Sequence, residues 1–596
     1  MKKYLTASTV SCASIIALAL FAYAGVVHNG YVWDDRYFLV DYTWIGNIPD
    51  AFKASLEPLF GQRSYVRPLA LFTLYLEAIL SGRNPAVSHA INLLIHIASA
   101  LLVYLLARRA WYESGRGRAG WVPGVVAAFF AVHPALTENV VWISSRFDLL
   151  ATFFALCALA VAGSGVRDWI KVPAVGLLFL LAALCKESVA VLPAVLGVMV
   201  LLRTAALEGR SRVRLPDAFR RDYLRLYAAL VVGGFLYLLV RRYVLSGAQL
   251  ITYEPSSFEQ HLVWMGVSVF EYTKLTLVPF VGNSPHHSFV WNDAMGFGDY
   301  WWQVVLGFLP LVVALGLVAV RRREGWWLLA WLVSYLPVLH LVTLTIGGNI
   351  VHQRFMYLPT AALLALAPYV LADLRVSDAG KRAALLISGA LILLSVVVCR
   401  TIVPAWKDDT TLWKWTVAMD PGSVEARENL IWVYLEAGML DDANKELDFI
   451  KAHGMRTTAN VAVNMGVAYY RLGDFDKADF YYQVALGARD TMPKDQQARL
   501  LSNMAINYAV QGQFADAGKH LSDSLVLDPM NTMALGHMMA YCGEQALRVG
   551  RYSGPELERA REHGRIAKEV VEQFQPGAIN AGRLCPPPEL RKAAGL

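Results

Sequence analysis

Long apolar runs separated by short polar loops dominate the first two thirds of the chain. Most of the runs are about twenty residues long, which is what an α-helix needs to cross a hydrocarbon core of about 30 Å. The pattern predicts eleven membrane-spanning helices, at about residues 5–27, 87–107, 121–133, 147–165, 172–184, 188–202, 224–243, 303–320, 325–342, 355–372 and 384–402.

One further run, 261–280, is predicted to lie along the membrane surface without crossing it. It contains Glu271 and Lys274, and charged groups are costly at the centre of a bilayer. If this run does not cross, the arginines at 321–323 lie on the same side as the other arginine-rich loops. Positive charge marks the cytoplasmic side, so the amino terminus is predicted inside, and Asp34 and Asp35 outside.

After residue 404 the spacing of apolar positions changes to that of paired amphipathic helices with an internal repeat. Four landmarks recur three times, with shifts of 35 and then 39 residues. They are Asn429, Tyr434, Gly438 and Ala443; Asn464, Tyr469, Gly473 and Ala478; and Asn503, Tyr508, Gly512 and Ala517. This is the tetratricopeptide pattern, and it predicts an α-solenoid of the kind that binds a peptide or a partner protein. The extra residues, RDTMPKDQQ, are predicted to form a loop.

Composition supports this division. Of the 596 residues, 56% are hydrophobic and only 17% charged, and the mean hydropathy is +0.40, whereas soluble chains carry about a quarter charged residues. The predicted fold class is all-α, with a membrane domain at 1–403, a connector at 404–424 and a repeat domain at 425–596. No basic-aromatic patch suggests nucleic acid as a partner. The six cysteines contain no CxxC pair, and pairing of Cys542 with Cys585 is left open.

Polar side chains collect at the predicted outer ends of the spans, which a plain membrane anchor would not need. Asp34 and Asp35 follow the first span among aromatic residues. The other candidates are Arg67, His89, Asn92, His96, His133, Glu138, Arg146, Asp148, Lys186, Glu187, His352, Arg354 and Tyr357. Because all of them are predicted on one side of the membrane, we expect a single polar cavity that opens outward.

Transfer of a group from a lipid phosphate suits such a cavity. A carboxylate would deprotonate an acceptor hydroxyl, and cations would hold the phosphate and stabilise its leaving charge. Two alternatives remain open for the aspartates. They could bind a divalent cation, or they could form no more than a turn at the membrane interface.

The chain resembles the transmembrane and tetratricopeptide-repeat O-mannosyltransferases, within the glycosyltransferase C fold. The motifs that carry the resemblance occur in the family's order and cover most of the chain. They are VWDD, SYVRPLALFTLYLEAI, SHAINLLIH, FAVHPALTENVVWISSRFDLLA, CKES, HQRFMYLP and WKDDTTLWKWTVAMDP.

The resemblance implies an inverting glycosyltransferase that uses a polyprenyl-phosphate-linked sugar, with Asp34 and Asp35 catalytic. It places His133, Glu138, Arg146, Asp148, Lys186, Glu187, Arg354 and Tyr357 at the donor and substrate site, with His286 and His287 as a looser match. The implied partners are the lipid donor, membrane lipids and an acceptor protein held by the repeats. No cofactor is certain, and a divalent cation at the aspartate pair is possible.

Three clear repeats are fewer than many relatives have, and the sugar is not carried over. A bacterial inner membrane with the site and the repeats in the periplasm is the favoured location. Two other functions remain open at this point. One is a non-enzymatic scaffold that displays the repeats for assembly of an envelope complex. The other is a polysaccharide ligase or a transporter that uses the same lipid carriers.

Overall fold

The computed structural model describes residues 2–41, 45–57, 65–116, 120–245, 257–288, 297–340, 349–455 and 457–527. These residues are overwhelmingly helical, and the chain divides into two compact units, the first ending at Ser423 and the second beginning at Val424. The first unit contains α1 (Lys2–Ala22), α2 (Ile48–Ser55), α3 (Pro68–Ser81), α4 (Pro85–Glu113), α5 (Val122–Ala131), α6 (Thr137–Val141), α7 (Arg146–Ala162), α8 (Asp168–Cys185), α9 (Leu192–Leu207), α10 (Arg221–Val244), α11 (Phe258–Leu277), α12 (Phe297–Ala319), α13 (Arg323–Ser334), α14 (Tyr357–Leu366), α15 (Pro368–Leu371), α16 (Asp378–Ile402) and α17 (Asp409–Met419).

Short non-α turns connect these helices at the ends where the candidate residues lie. The 3₁₀ helices are Val26–His28, Pro134–Leu136, Ile143–Ser145, Glu187–Val191, Leu215–Phe219, Leu336–Val338, Gln353–Met356, Val403–Trp406 and, in the second unit, Arg489–Thr491. A π-helix at Arg36–Asp41 directly follows the two aspartates. Such π-turns are rare and occur frequently at functional sites.

The protein is an all-α polytopic membrane protein, as the sequence predicts. Within the described residues, nine helices are long and apolar enough to cross a membrane. A tenth crossing is possible if α5 and the turn-plus-helix Pro134–Val141 act as one span, although they are bent by 49°. The remaining predicted span, 325–342, is shorter than expected, because α13 has 12 residues and ends at Ser334.

The run predicted to lie along the surface forms α11, a 20-residue helix that is not among the helices apolar enough to cross. Its Lys274 and Glu271 form an ion pair, which lowers the cost of placing either charge near lipid. That α11 does not cross stays a prediction. Behind α11, β1 (His287–Ser288) pairs antiparallel with β2 (Asn349–Val351).

The segment that follows the last span belongs to the first unit and packs against the loop that follows α1. The Gly30 backbone N–H donates to the Lys407 carbonyl at 2.9 Å, and the Asn29 side chain donates to the Val403 carbonyl at 3.0 Å. Trp406 and Trp413 are almost completely buried. The chain between the last span and the repeats is therefore built into the wall behind Asp34 and Asp35.

The described part of the second unit, which ends at residue 527, contains three helix pairs, one for each predicted repeat. They are α18 (Val424–Glu436) with α19 (Leu440–Ala452), α20 (Ala459–Arg471) with α21 (Phe475–Gly487), and α22 (Lys494–Val510) with α23 (Phe514–Leu527). The two helices of each pair pack together, and α20 also contacts both α18 and α22. The RDTMPKDQQ stretch is not a simple loop, because it forms a 3₁₀ turn and then the first turn of α22.

Most landmarks of the repeat have a clear packing role. Gly438, Gly473 and Gly512 have φ of 71°, 78° and 80°, a left-handed conformation that glycine adopts without strain at a helix end. In each repeat the residue after this glycine donates to the carbonyl of the landmark tyrosine. The landmark alanines 443, 478 and 517 are fully buried, which lets the paired helices approach. Cys542 and Cys585 lie outside the described residues.

Candidate active site

Asp35 is held firmly by the protein. One of its carboxylate oxygens accepts hydrogen bonds from the backbone N–H and the hydroxyl of Ser144, at 2.7 and 2.5 Å. The other accepts from the Val32 backbone N–H at 3.3 Å. Burial raises the pKa of Asp35 to about 7, although these hydrogen bonds oppose the shift. Asp35 therefore fastens the loop to the turn before α7.

Asp34 lies beside Asp35, but its carboxylate differs in hydrogen bonding. It is only partly buried, and among the described residues no hydrogen bond reaches its carboxylate. Burial raises the pKa of Asp34 to about 6, while the positive charges of Arg354 and Arg67 act in the opposite direction. Asp34 is thus the member of the pair that a substrate can reach, and at neutral pH it is ionised.

Trp33 orients this pair. It is not a glycine, yet its φ is 54°, a strained conformation that persists only when the surroundings enforce it. Its backbone N–H donates to Asp409 at 2.7 Å, and its ring stacks on Trp142 with centroids 4.7 Å apart. Both contacts are with other parts of the protein, so the position of Trp33 is set by packing within the fold.

Asp409 was not identified as a site residue from the sequence. Besides the Trp33 N–H, it binds the Arg36 guanidinium at 3.3 Å, so it fixes both ends of the turn that carries the aspartates. Its position in the WKDD motif was a signal, because that motif is part of the family resemblance. The motif alone gave it no role.

Three cations form a group in which each has its own carboxylate partner, and two of them, Arg354 and Arg67, act on Asp34. Lys186 binds both oxygens of Asp148 at 2.7 and 2.6 Å. Two arginine–glutamate pairs complete the group, Arg354–Glu138 at 3.0 Å and Arg67–Glu187 at 3.2 Å. The structure therefore brings together six of the predicted side chains around the aspartate pair.

The three cations differ in how available they are. The Arg354 guanidinium lies over the rings of Trp33, Trp142 and Phe355, at 5.1–5.5 Å. Burial lowers the pKa of Lys186 to about 8, with Asp148 opposing the shift. Arg67 is the most accessible of the three, since its side chain is 15% exposed. Its Nε is buried and has no hydrogen-bond partner among the described residues.

A second group of predicted residues forms scaffold contacts. Arg146 is 1% exposed, forms an ion pair with Glu77, and donates to the Asn92 side chain at 2.7 Å and the Ser88 carbonyl at 2.8 Å. Asn92 in turn donates to the carbonyls of residues 142 and 143. Glu77 was missed from the sequence, although it lies within the LYLEAI motif. These contacts support a positioning role.

Three of the predicted histidines, His89, His96 and His133, occupy different positions in the fold. His96 bonds to the Tyr357 hydroxyl at 2.8 Å and to the Ala131 carbonyl at 2.9 Å, deep in the protein. His89 contacts the Gly30 carbonyl at 3.3 Å, behind the aspartate loop. His133 packs edge-on against Phe129, and no described contact joins it to Asp34. These three histidines support the walls of the site.

His286 lies against Trp33, and His287 is its neighbour in the chain. The His286 ring is 5.4 Å from the Trp33 ring and 5.3 Å from that of Trp413. Both histidines line a cavity of about 320 Å³ beside α11 and α12. Burial lowers the pKa of His286 to about 3 and that of His287 to about 4. Both are neutral at pH 7, so they offer hydrogen bonds and no positive charge.

The aspartate pair does not have the surroundings of a metal site. Among the described residues, no group of three or more His, Cys, Asp or Glu side chains is placed to hold a metal ion. The oxygens of Asp35 already accept three hydrogen bonds. The residues present therefore fit a proton acceptor beside cations better than they fit a divalent-cation site.

Fold and site together define a polytopic helical membrane protein with an ionised carboxylate and several cations at the end of its spans. No protein-family model matches the chain. It is similar to the protein O-mannosyl-transferase F38B6.6 of Caenorhabditis elegans, 23% identical over 447 residues, which is 72% of this chain and 61% of that protein. It is also similar to the protein O-mannosyl-transferase Tmtc1 of Drosophila melanogaster (27% over 233 residues, 37% and 26%) and to human TMTC1 (38% over 96 residues, 16% and 10%).

The chain spans less than two thirds of the length of these relatives. The likeness supports the family resemblance that the motifs indicate. All the relatives named here come from animals, so the expectation of a bacterial protein receives no support from them.

Proposed function

We propose that this protein is a membrane glycosyltransferase that moves a sugar from a polyprenyl-phosphate donor to a hydroxyl of an acceptor protein. The similarity to protein O-mannosyl-transferases favours mannose and a Ser or Thr acceptor. The observation that carries the proposal is the difference between the two aspartates. Asp35 accepts hydrogen bonds from Ser144 and Val32, whereas Asp34 accepts none from the described part of the chain, is partly exposed and lies near Arg354 and Arg67.

In the proposed reaction, Asp34 accepts the proton of the acceptor hydroxyl. The oxygen forms a bond to the anomeric carbon of the sugar, and the bond from that carbon to the phosphate oxygen breaks. The electron pair leaves with the polyprenyl phosphate, and the proton stays on Asp34 until it passes to water. A single displacement of this kind inverts the anomeric carbon. A base with a pKa near 6 suits proton transfer at neutral pH.

Arg67 is the cation best placed to bind the donor phosphate. Its guanidinium carries five N–H donors, and Glu187 uses only one of its end nitrogens. Lys186 and Arg354 are more completely occupied by Asp148 and Glu138, and they contribute positive field near the leaving oxygen. We therefore expect Arg67→Lys to weaken donor binding more than it slows the turnover of bound donor, because a lysine cannot make the planar two-point contact.

The site is proposed to face away from the cytoplasm, with the repeats on the same side. This rests on the alternation of arginine-rich loops and on α11 not crossing. The side of Arg322 tests it. A cysteine placed at this exposed position should react with a membrane-impermeant reagent only after the membrane is broken so that the reagent reaches the cytoplasmic side. Reaction from the outside in intact cells would overturn the topology.

The repeats are proposed to hold the acceptor protein while the membrane unit does the chemistry. Removing the chain after residue 424 should then preserve donor hydrolysis or transfer to a small hydroxyl compound, because the catalytic side chains belong to the first unit. Transfer to the natural acceptor should be lost. Normal modification of the natural acceptor by the folded, truncated protein would contradict this role.

The direct test substitutes three aspartates one at a time. It measures sugar transfer by each purified variant, with a polyprenyl-phosphate sugar as the donor. Asp34→Asn should lower transfer about a hundredfold to ten-thousandfold, the usual contribution of a general base, with donor affinity and thermal stability unchanged. Asp35→Asn should lower transfer and stability together, since the amide has a single oxygen and its NH2 group would face either the Ser144 donors or the Val32 N–H. Asp50→Asn, on α2, is the matched control and should behave as wild type. Full transfer by Asp34→Asn would remove the proposed base.

A further inference from the structure

A basic cavity lies at the end of the first unit that is opposite to the aspartate pair. Its volume is about 390 Å³, and the residues that line it are Arg116, Leu374, Arg375, Val376, Ser377 and Lys381. Helix α4 connects the two ends, because His89 near its start contacts the aspartate loop and Glu113 is its last residue. A rise of about 1.5 Å per residue separates these two residues by about 36 Å. The cavity is therefore distinct from the candidate active site.

The cavity lies where the polar end of the unit meets the surface that faces lipid. Helix α16 begins at Asp378, directly after the lining residue Ser377, and is long and apolar enough to cross a membrane. Its Leu385 and Leu386 are exposed on the outside of the protein. Two of the lining residues, Leu374 and Val376, are also exposed apolar side chains. A ligand that binds here meets cations and apolar groups side by side.

Two arginines supply the positive charge of the cavity. The Arg116 guanidinium donates through Nε to the Ala372 carbonyl at 2.7 Å, which holds it against the loop between α15 and α16. Arg375 lies in that loop, is exposed, and makes no hydrogen bond or ion pair within the part of the chain that the structure describes. Its guanidinium is therefore available to a ligand.

The carboxylates nearest in the chain do not cancel these two charges. Asp373 binds Arg323 of α13 at 3.0 Å, and Asp378 binds Lys381 at 2.8 Å. Each carboxylate thus has its own cation, and the two arginines of the cavity remain as excess positive charge. The start of α16 adds to it, because the N-terminus of a helix carries a partial positive charge. The cavity is suited to an anion.

The preference for positive charge on the cytoplasmic side of a membrane protein explains the number of arginines in these loops. It does not explain their convergence. Arg116 follows α4 and Arg375 precedes α16, far apart in the sequence, yet both line one cavity. A phospholipid with a net negative charge carries a phosphate and hydrocarbon in one molecule, so it matches both the cations and the apolar side chains.

We propose that this cavity binds the headgroup of an anionic phospholipid, with Arg116 and Arg375 on its phosphate and with Leu374 and Val376 against its glycerol and upper acyl chains. The inference does not rest on the proposed function. In the proposed topology the lipid belongs to the cytoplasmic leaflet, where basic pockets between spans bind anionic headgroups. The bound lipid would connect the end of α4 to the start of α16.

The test uses the full-length protein in detergent and native mass spectrometry, which separates protein with and without a bound lipid. The probes are phosphatidylglycerol, phosphatidylcholine with the same acyl chains, and inorganic phosphate. Two arginines near a negative headgroup should make phosphatidylglycerol bind at least about tenfold more tightly than phosphatidylcholine. Inorganic phosphate at the same concentration should not displace it, because a free anion lacks the apolar contacts.

Arg375→Gln is the decisive variant, and Arg382→Gln is its matched control. Each removes one positive charge from an exposed side chain, but Arg382 lies in the first turn of α16 and does not line the cavity. We expect Arg375→Gln to weaken phosphatidylglycerol binding about fivefold, and Arg382→Gln to bind as wild type does. Arg375→Lys keeps the charge and should retain most of the affinity. Thermal unfolding should be the same for all three variants without added lipid.

Four results would overturn the proposal. These are equal affinity for the two lipids, unchanged binding by Arg375→Gln, an equal loss in Arg382→Gln, and displacement of the lipid by equimolar inorganic phosphate. The third result would mean that only diffuse surface charge attracts the lipid, and the fourth would assign the cavity to a soluble anion. Asp34→Asn should keep the lipid affinity of wild type, because the two sites lie at opposite ends of the unit.

Discussion

Both units contain ion pairs, but the pairs at the candidate site of the first unit are buried, whereas the pair that joins the first two repeats of the second unit is exposed to water. The side chains of Lys186 and Asp148 are 5% and 9% exposed, whereas those of Arg471 and Glu436 are 60% and 39% exposed. A buried charge needs its partner, because the charged form has lost its water. An exposed pair is solvated and contributes little. Loss of one partner should therefore cost more stability in the buried pairs than in the exposed pair.

The largest expected effect is the loss of a buried charge from the scaffold. Arg146→Met leaves Glu77 without its partner and Asn92 without its donor, and should cost about 3–5 kcal/mol of unfolding free energy. Chemical denaturation in detergent measures it. The double variant Arg146→Met with Glu77→Met should recover much of the loss, because no charge is left buried alone. A single variant as stable as wild type would contradict the scaffold role of this pair.

The next effect concerns the turn that carries the aspartates. Asp409→Ala removes the acceptor of the Trp33 N–H and the partner of Arg36, contacts worth about 1.5–3 kcal/mol for a charged group. Turnover should fall about tenfold to a hundredfold, with the KM for donor little changed, because the residue positions Asp34 and does not touch the lipid. Asp409→Asn keeps an acceptor and should retain more activity.

The matched control for that experiment is Asp408→Ala. Asp408 caps α17 through the Thr411 N–H at 2.8 Å, so its loss should cost about 1 kcal/mol of stability and leave turnover alone. An equal loss of turnover in both variants would mean that the whole segment supports activity and that Asp409 has no specific role in positioning Asp34.

The pH profile of kcat/KM tests whether burial shifts the pKa values of Asp34 and Lys186. The pKa of Asp34, about 6, lies above that of a free carboxyl, so kcat/KM should fall about tenfold per pH unit as the pH drops below 6 and the base takes up a proton. The lowered pKa of Lys186, about 8, should give a second fall as the pH rises through 8 and this positive charge is lost. Lys186→Arg should remove the alkaline fall, because arginine stays charged to above about pH 12. An unchanged profile in that variant would exclude Lys186 as its cause.

The smallest effect is expected on the repeat surface. Arg471→Ala, Glu436→Ala and the double variant form a cycle whose coupling energy should be below about 1 kcal/mol, as for other exposed ion pairs. Thermal unfolding of the full-length protein measures it. A coupling above about 2 kcal/mol would show that the second unit depends on charge pairs as the first does, and the contrast between the units would fail.

The positions of the helices were largely predictable from the sequence. Runs of about twenty apolar residues are long enough to cross a membrane, and nearly all of the predicted runs are helical in the structure. The run at 325–342 differs because α13 stops at Ser334, directly before a short 3₁₀ turn that contains Pro337. The repeat was predictable for a similar reason, since the glycine at each turn and the alanine at each close approach have local geometric causes.

The candidate site was predictable as a set of residues but not as a set of roles. Asp34 and Asp35 are neighbours in the chain with the same side chain, and sequence alone cannot show which of them the protein binds. Glu77 and Asp409 were missed because their partners, Arg146 and Trp33, are 69 and 376 residues away along the chain.

The sequence by itself determined the helices, the two units and the ends of the spans at which the polar groups gather. The reason is that apolar length, charge and turn chemistry act between residues that are near in the chain. Only the tertiary structure decided that Ser144 binds Asp35 and leaves Asp34 open, and that Arg67 keeps a nitrogen without a partner while Lys186 does not. Such choices depend on which distant hydrogen-bonding groups meet when the helices pack, and on how much water that packing removes from each charge.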